Sequence, residues 1–436
     1  MKGLPVLSFI ALSLIVFSCK KDSPVETPAD KMPPNVLLII ADDFGLDACP
    51  NYPFGTVKPA MPNLQKLMNE GVTFDNFWVS PTCSPTRATL ITGKYGHETN
   101  VLQVGDELAY SEYTLQQHIT QAAPLGYSQA VIGKWHLSKD ENHPISAGAD
   151  YYAGMLLGGV PSYTRWNLVE NGQTSTSTEY STSKLTDLSI EWVKNQDTPW
   201  FLWLAYNAPH TPFHLPPDSL HSQGNLPQDQ ASIDANPLPY FMAMCEALDH
   251  EMGRVVASLT PEEKENTVII FIGDNGTDGA VVQEYILQRA KGSVYKGGVN
   301  VPLVVSGAGV NRMQSREDEL VSSVDMFATI SEIVGTSNLQ GGIPNTSMSF
   351  WNSVNTETTE RQFSYTEIAK NSSSDYAIRN ASHKYILFEN QNEALFDLSA
   401  NPIESPNLLR PNQLPLSFAD STMLEELKVE ADRIRN

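Results

Sequence analysis

Four continuous apolar runs, each broken off by residues that ionise or ligate, constrain this chain more than any other feature. Residues 35–41 (NVLLIIA) stop at Asp42-Asp43, and 130–132 stop at Gly133-Lys134-Trp135-His136. Residues 200–206 (WFLWLAY) stop at Asn207-Ala208-Pro209-His210, and 267–272 (TVIIFI) at Gly273-Asp274-Asn275-Gly276. A run that is apolar at every position has no polar face to offer water, so it reads as a strand buried on both sides of a parallel sheet. A fifth run covers 301–305. Helical patterns lie between the runs. Leu64, Leu67 and Met68 recur at helical spacing in 62–70, and 241–258 reads as an amphipathic helix. Strands alternating with helices predict an α/β fold, a sheet with helices on both faces. In such sheets ligands bind beyond the carboxyl ends of the strands. The pattern therefore gathers Asp42, Asp43, Lys134, His136, His210 and Asp274 on one rim.

The texture changes from about residue 345. Short alternating segments at 376–379, 383–388 and 394–398, then a helical tail over 420–436, predict a small α+β C-terminal subdomain, 345–436, behind a catalytic domain, 35–344.

The first eighteen residues read as an export leader. Met1-Lys2 precedes an uncharged, mostly apolar stretch over 4–18. As a helix it reaches roughly 22 Å, short of the ~30 Å hydrocarbon core of a membrane. It ends Val16-Phe17-Ser18-Cys19, and a small residue before a cysteine here resembles the lipobox of bacterial lipoproteins. That resemblance implies cleavage before Cys19 and a lipid on Cys19, with 19–34 a Pro-rich, charged tether. The expectation is an exported, membrane-anchored lipoprotein, periplasmic or at the cell surface, touching the membrane through its N-terminal lipid only. The four cysteines are Cys19, Cys49, Cys83 and Cys245. If Cys19 carries lipid and Cys83 is chemically consumed, only Cys49 and Cys245 could pair, so this is no disulfide scaffold. The net charge of −22 repels phosphate backbones and argues against a nucleic-acid partner. An anionic substrate would depend on a local cluster of basic groups.

Residues 83–93 read C-S-P-T-R-A-T-L-I-T-G. Pro85 and Arg87 at fixed offsets from Cys83 suggest a nucleophile at a helix start with a cation beside it. C-x-P-x-R followed by T-G resembles the maturation motif of the formylglycine-dependent (type I) sulfatases, in the alkaline phosphatase superfamily. Other blocks agree in order. Asn35 to Asp43 is similar to the family's first strand with its metal aspartates, and Gly133 to Leu137 to its G-K-W-H-L block. Ala208 to Pro212 resembles P-H-x-P, Asp274-Asn275-Gly276 the second metal pair, and Lys291 to Gly298 the K-G-x-x-Y-x-G-G block. Leu395 to Leu398 with Glu404 resembles L-Y-D-L…P-x-E. The likeness covers roughly residues 35–410.

The resemblance implies an alkaline phosphatase-like fold, a large mixed, mostly parallel sheet plus a small C-terminal subdomain. It implies that a separate maturation enzyme oxidises Cys83 to formylglycine, whose aldehyde hydrates to a diol. Asp42, Asp43, Asp274 and Asn275, with residue 83 itself, would hold Ca²⁺, which suits hard oxygen ligands. The ion would lower the pKa of one diol hydroxyl, making the nucleophile. Three aspartates against Ca²⁺ leave −1, and Arg87, Lys134 and Lys291 bring the total to +2, enough to attract a sulfate monoester. In the implied mechanism the ionised hydroxyl attacks sulfur while Arg87, Lys134, Lys291 and Ca²⁺ bear the sulfuryl oxygens. His210, with Lys291, acts as general acid towards the leaving oxygen. His136 takes the proton from the remaining hydroxyl, expelling sulfate from the covalent intermediate. The implied substrate is a sulfated carbohydrate or an aryl sulfate.

Two positions depart from the family pattern. Many relatives read E-G-G-x-R-V-P where this chain has Lys296-Gly297-Gly298-Val299-Asn300-Val301-Pro302, and Ser138 replaces a usual Gly. The lost carboxylate and guanidinium suggest a missing structural pair that leaves Lys291 untouched. His97, which follows the cysteine-motif helix, is a candidate for the substrate rim. His214 and His250 read as structural or rim residues. Tyr151, Tyr152, Tyr163 and Trp166 could stack on a sugar or simply pack. Two other activities compete: a formylglycine-dependent phosphonate monoester hydrolase or phosphodiesterase, and a non-catalytic glycan-binding surface lipoprotein. A two-zinc phosphatase is disfavoured, because Asn275 and not His follows Asp274.

Overall fold

The apolar runs form the middle of a ten-stranded sheet. The computed structural model describes residues 32–123, 126–336, 343–344, 346–356, 361–371 and 373–436, with Met1 and Gly3. The remainder of the leader, Cys19 and the tether as far as residue 31 lie outside the described residues.

The strands are β1 (Asn35–Ala41), β2 (Gly71–Trp78), β3 (Ser128–Lys134), β4 (Tyr151–Met155), β5 (Trp166–Glu170), β6 (Gln173–Ser177), β7 (Trp200–Ala205), β8 (Thr267–Gly273), β9 (Leu303–Gly307) and β10 (Ser315–Ser322). They are ordered β10-β2-β9-β8-β1-β7-β3-β4-β5-β6. The centre, β8-β1-β7-β3-β4, is parallel throughout. Among the described strands of this sheet, β5 and β9 run against the others. The run expected at 301–305 thus begins two residues later and is antiparallel to its neighbours β8 and β2.

Burial on both faces explains the unbroken apolar runs. In β1, Leu37, Ile39 and Ala41 enter one core, where they meet Leu64 and Leu67 of α1 (Pro62–Asn69) and Phe241, Leu248 and Met252 of the long helix Leu238–Ser258. Val36, Leu38 and Ile40 enter the opposite core with Ala88, Leu90 and Ile91 of α2 (Cys83–Thr92) and with Phe327 and Ile330. The period-two alternation of the pleat sends neighbouring residues to opposite cores.

A second sheet is antiparallel, with β11 (Ser364–Ala369), β12 (Ser374–Arg379), β13 (His383–Leu387) and β14 (Glu393–Asp397) in sequential order. The helix Phe418–Arg435 packs on it through Leu424, Leu427 and Ala431. Ser417 caps that helix by accepting a hydrogen bond from the Asp420 amide. On the other face, Ala377, Ile386, Ala394 and Phe396 meet Trp78 of β2 and Val294 and Val299. Residues 350–354 precede this sheet, and Phe350 and Val354 belong to the core around α2.

Candidate active site

The strand ends are laced together at the rim. The Asp42 amide donates to the carbonyl of Ala208 beyond β7, and the Asp274 amide to that of Ala41 at the end of β1. The His136 amide donates to Leu156 beyond β4. Asp43 (φ 65°) and His136 (φ 57°) both hold left-handed backbone, which costs a non-glycine residue on the order of 1–3 kcal/mol. Such strain persists only where the surroundings enforce it.

The helix α2 delivers the cysteine. Cys83 is its first residue and Pro85 lies in its first turn, where the missing N–H is not needed. Arg87 follows four residues on, so it lies on the same face one turn along. Gly93 (φ 67°) ends the helix, its amide donating back to the Thr89 carbonyl.

Three buried carboxylates meet three cations one to one. Lys134 Nζ lies 2.5 Å from Asp42 Oδ2, Lys291 Nζ lies 2.6 Å from Asp43 Oδ1, and Arg87 Nη2 lies 2.7 Å from Asp274 Oδ2. Arg87 also donates to the Lys134 carbonyl, and Asn275 Nδ2 to Asp43 Oδ1. Two oxygens are left over: Asp42 Oδ1 and Asn275 Oδ1 are buried and have no hydrogen-bond partner among the described residues. A buried acceptor without a partner costs about 1–3 kcal/mol, which a cation would recover. Asp42, Asp43 and His210 each offer a ligand atom within 4.8 Å of one another. These carboxylate and amide oxygens fit a hard cation such as Ca²⁺.

Burial raises the Asp43 carboxyl, but the Lys291 ammonium, then His210 and Lys134, outweigh it and bring the group down to about 2. Burial, and then the Asp42 carboxylate, push Asp274 up to about 6. The first is a fixed anion. The second is an anion held under strain, which a divalent ion would relieve.

One histidine lies against the cysteine and the other against Asp43. His136 Nδ1 lies 3.2 Å from Cys83 Sγ. Burial, then Lys134 and Arg87, push His136 down to about 2, so it stays neutral and keeps a lone pair for a proton. Burial pushes the Cys83 thiol up. His210 Nδ1 lies 2.8 Å from the Thr211 carbonyl, which accepts its N–H and leaves Nε2 facing Asp43 Oδ2 at 3.8 Å. Exposure rises from floor to mouth. Asp42, Asp43, Asp274, Arg87 and Lys134 are wholly buried, whereas the Lys291 and His210 side chains are 17% and 18% exposed. The site therefore opens at His210 and Lys291, with Cys83 and the carboxylates towards its floor.

The sulfatase family model matches residues 34–336. This chain belongs to the sulfatase family. YdeN of Escherichia coli K12, an uncharacterized sulfatase, is 28% identical over 356 residues, covering 68% of this chain and 61% of its own length. The chain thus spans about three fifths of that relative. Two solved structures share the fold. Ps i-CgsB, in complex with k-i-k-neocarrahexaose, has a TM-score of 0.78 at 23% identity, covering 92% of this chain and 93% of that one. BT4656, in complex with its substrate D-glucosamine-2-N,6-O-disulfate, has a TM-score of 0.74 at 18% identity, covering 93% and 98%.

The sulfatase rim does not include every candidate. His97 is held elsewhere, its Nδ1 2.7 Å from Glu367 Oε1 in β11 and its Nε2 3.1 Å from the Ile434 carbonyl. Tyr152, Tyr163 and Trp166 are buried, so their rings pack rather than present a stacking face. His214 stacks against Tyr163 and accepts from, or donates to, the Tyr180 hydroxyl. Cys49 and Cys245 are buried free thiols.

Two positioning features escaped the sequence reading. The Tyr163 hydroxyl contacts the carbonyls of Asn207 and His210 and so supports the His210 loop. Gly158 and Gly159 press against both histidines: a Cβ on Gly158 would lie 2.4 Å from His136 Cε1, and one on Gly159 3.3 Å from His210 Cε1. The Gly-Gly pair was the available signal, but only the fold shows what lies against it.

Proposed function

We propose that this chain hydrolyses sulfate monoesters of sulfated carbohydrates, with Cys83 matured to formylglycine and a diol nucleophile that passes through a covalent sulfoenzyme. The observation that carries the proposal is the ring of three buried cation–carboxylate pairs around Cys83, with two orphaned oxygens beside it. Asp42, Asp43, Asp274 and Asn275, with residue 83, would hold a calcium ion, whose chemistry is to lower the pKa of a bound hydroxyl and to bear negative charge. An unmodified thiol suits the reaction poorly. The Cys83 thiol is pushed up while His136 is pushed down, the reverse of a thiolate–imidazolium pair.

Each side chain then has a task that its position allows. Arg87, Lys134 and Lys291 bind the sulfuryl oxygens and their developing charge. His210 carries a proton on Nε2, the nitrogen that faces Asp43, to the leaving sugar oxygen at the exposed mouth. Neutral His136 accepts the proton of the group at residue 83 through Nδ1 and so drives sulfate out. The glucosamine disulfate and neocarrahexaose bound to the two fold neighbours support a sugar as the departing group. The leader and Cys19 support export of the catalytic domain, 35–344, and its C-terminal subdomain, 345–436, on a lipid anchor. Among the described residues no helix is long and apolar enough to cross a membrane.

The test is a panel of defined sulfated mono- and oligosaccharides, aryl sulfates and phosphodiesters, with protein co-produced with a formylglycine-generating enzyme. Sulfate release from at least one sugar, at a kcat/KM above that for any phosphodiester, is expected. Turnover of phosphodiesters or phosphonates alone would assign the site to that chemistry instead.

A further inference from the structure

A second buried cluster of cations lies at the seam between the two sheets, and the activity above does not use it. A cavity of about 200 Å³ there is lined by Asn76 and Trp78 of β2, Lys296, Arg379 of β12, and Ser399 and Glu404 beyond β14. Lys384 of β13, wholly buried, lies behind Glu404 and donates to its Oε1 and to the Val294 carbonyl. The Lys296 amide donates to both Glu404 oxygens. The one carboxylate of the cluster is thereby committed to Lys384 and to a backbone amide.

That leaves two cations without an anion. The Arg379 guanidinium is buried and, among the described residues, donates only to neutral acceptors, the Asn76 amide oxygen and the carbonyls of Asn380 and Ala381. The Lys296 ammonium sits over the Phe54 ring and makes no hydrogen bond or ion pair among the described residues. The nearby Asp75 is engaged by Arg316. Three cations against one carboxylate leave +2 in a half-open pocket, on a chain whose net charge is −22. Burial, and then Arg379, hold Lys296 down to about 8. Burial also holds Lys384 to about 8, and Arg379 to about 10, in spite of Glu404. A buried charge persists when it is paired.

We propose that this seam pocket binds a small tetrahedral oxyanion, inorganic sulfate or phosphate, between Lys296 and Arg379. A dianion supplies the two missing negative charges, its oxygens accept from the ammonium and the guanidinium, and the volume suits it. Sulfate is also the product expected at the active site, so the test must separate the two sites. Lys296→Met keeps the contact with Phe54, removes the charge and leaves the catalytic residues intact. Melting temperatures of the full chain are compared in sulfate, in phosphate and in chloride at equal ionic strength. The wild type is expected to be stabilised by the oxyanions over chloride, with a shift of several degrees that Lys296→Met loses at least in half. In chloride the variant should melt no lower than the wild type. Lys296→Glu, which reverses the charge, should lose the same part of the shift. Crystals soaked in selenate, a heavy-atom analogue of sulfate, should show selenium between Lys296 and Arg379. An oxyanion shift equal in the wild type and both variants, or selenium at the active site with none at the seam, would overturn the proposal.

Discussion

The catalytic rim and the seam both bury clustered charges, and they balance them in opposite ways. At the rim, Asp42, Asp43 and Asp274 each face one cation, and the Oδ1 atoms of Asp42 and Asn275 have no hydrogen-bond partner among the described residues. At the seam, Lys296 and Arg379 are left without a carboxylate. Under the proposed function, the rim would accept a cation through oxygen and then an anionic substrate through Arg87, Lys134 and Lys291. The seam can accept only an anion. Buried charge alone therefore does not mark a catalytic centre. The centre is marked by balanced pairs that can be exchanged for substrate, next to groups that can move protons.

The one-to-one pairing can be broken from the cationic side. Arg87→Ala leaves the Asp274 carboxylate buried without its partner, and such a loss costs roughly 3–5 kcal/mol. Urea denaturation should show a fall of that size together with abolished turnover. Arg87→Ala combined with Asp274→Ala should recover part of the stability and none of the activity. Stability unaffected by Arg87→Ala would mean that the pair is not buried as described.

The proton-moving groups separate the two clusters further. His210→Ala should lower kcat on a sugar sulfate by ~10²–10⁴-fold, and much less on an aryl sulfate whose leaving oxide has a low pKa. Losses independent of the leaving group would remove His210 from the general-acid role. Gly158→Ala should act through His136. Its new Cβ cannot stay 2.4 Å from the ring, and displacing a catalytic group by about 1 Å can cost roughly 10²-fold. The signature is slow release of sulfate after a burst of phenol from an aryl sulfate; normal steady-state rates would show that the histidine has room. The smallest effect belongs to the seam. Lys296→Glu should leave kcat and KM on aryl sulfate unchanged, and a tenfold change would tie the seam to catalysis.

Much of the rim was legible because parallel strands buried on both sides carry an unmistakable pattern, and each ran straight into a site residue. The ends of 35–41 and 267–272 delivered Asp42, Asp43 and Asp274 directly. What was not legible depended on distant partners. The strand β10 (SREDELVS) is polar because it lies at the sheet edge, so it lacks the apolar signal of the centre. His97 follows the cysteine motif, yet its partner Glu367 belongs to the other sheet. The change at Lys296 was visible, but the chain alone could not bring Arg379 and Lys384 to the same place. Nothing local in the sequence shows that the missing side chains of Gly158 and Gly159 make room for two imidazoles.

The central claim is that the rim acts through a modified Cys83 and not through its thiol. The direct measurement is mass spectrometry of the peptide containing Cys83, made on the same preparations whose sulfate release is assayed, produced with and without a formylglycine-generating enzyme. The account predicts that turnover rises in proportion to the aldehyde form of residue 83 and that folded protein carrying only the thiol is inactive. Full turnover by protein in which every Cys83 is an unmodified thiol would contradict it.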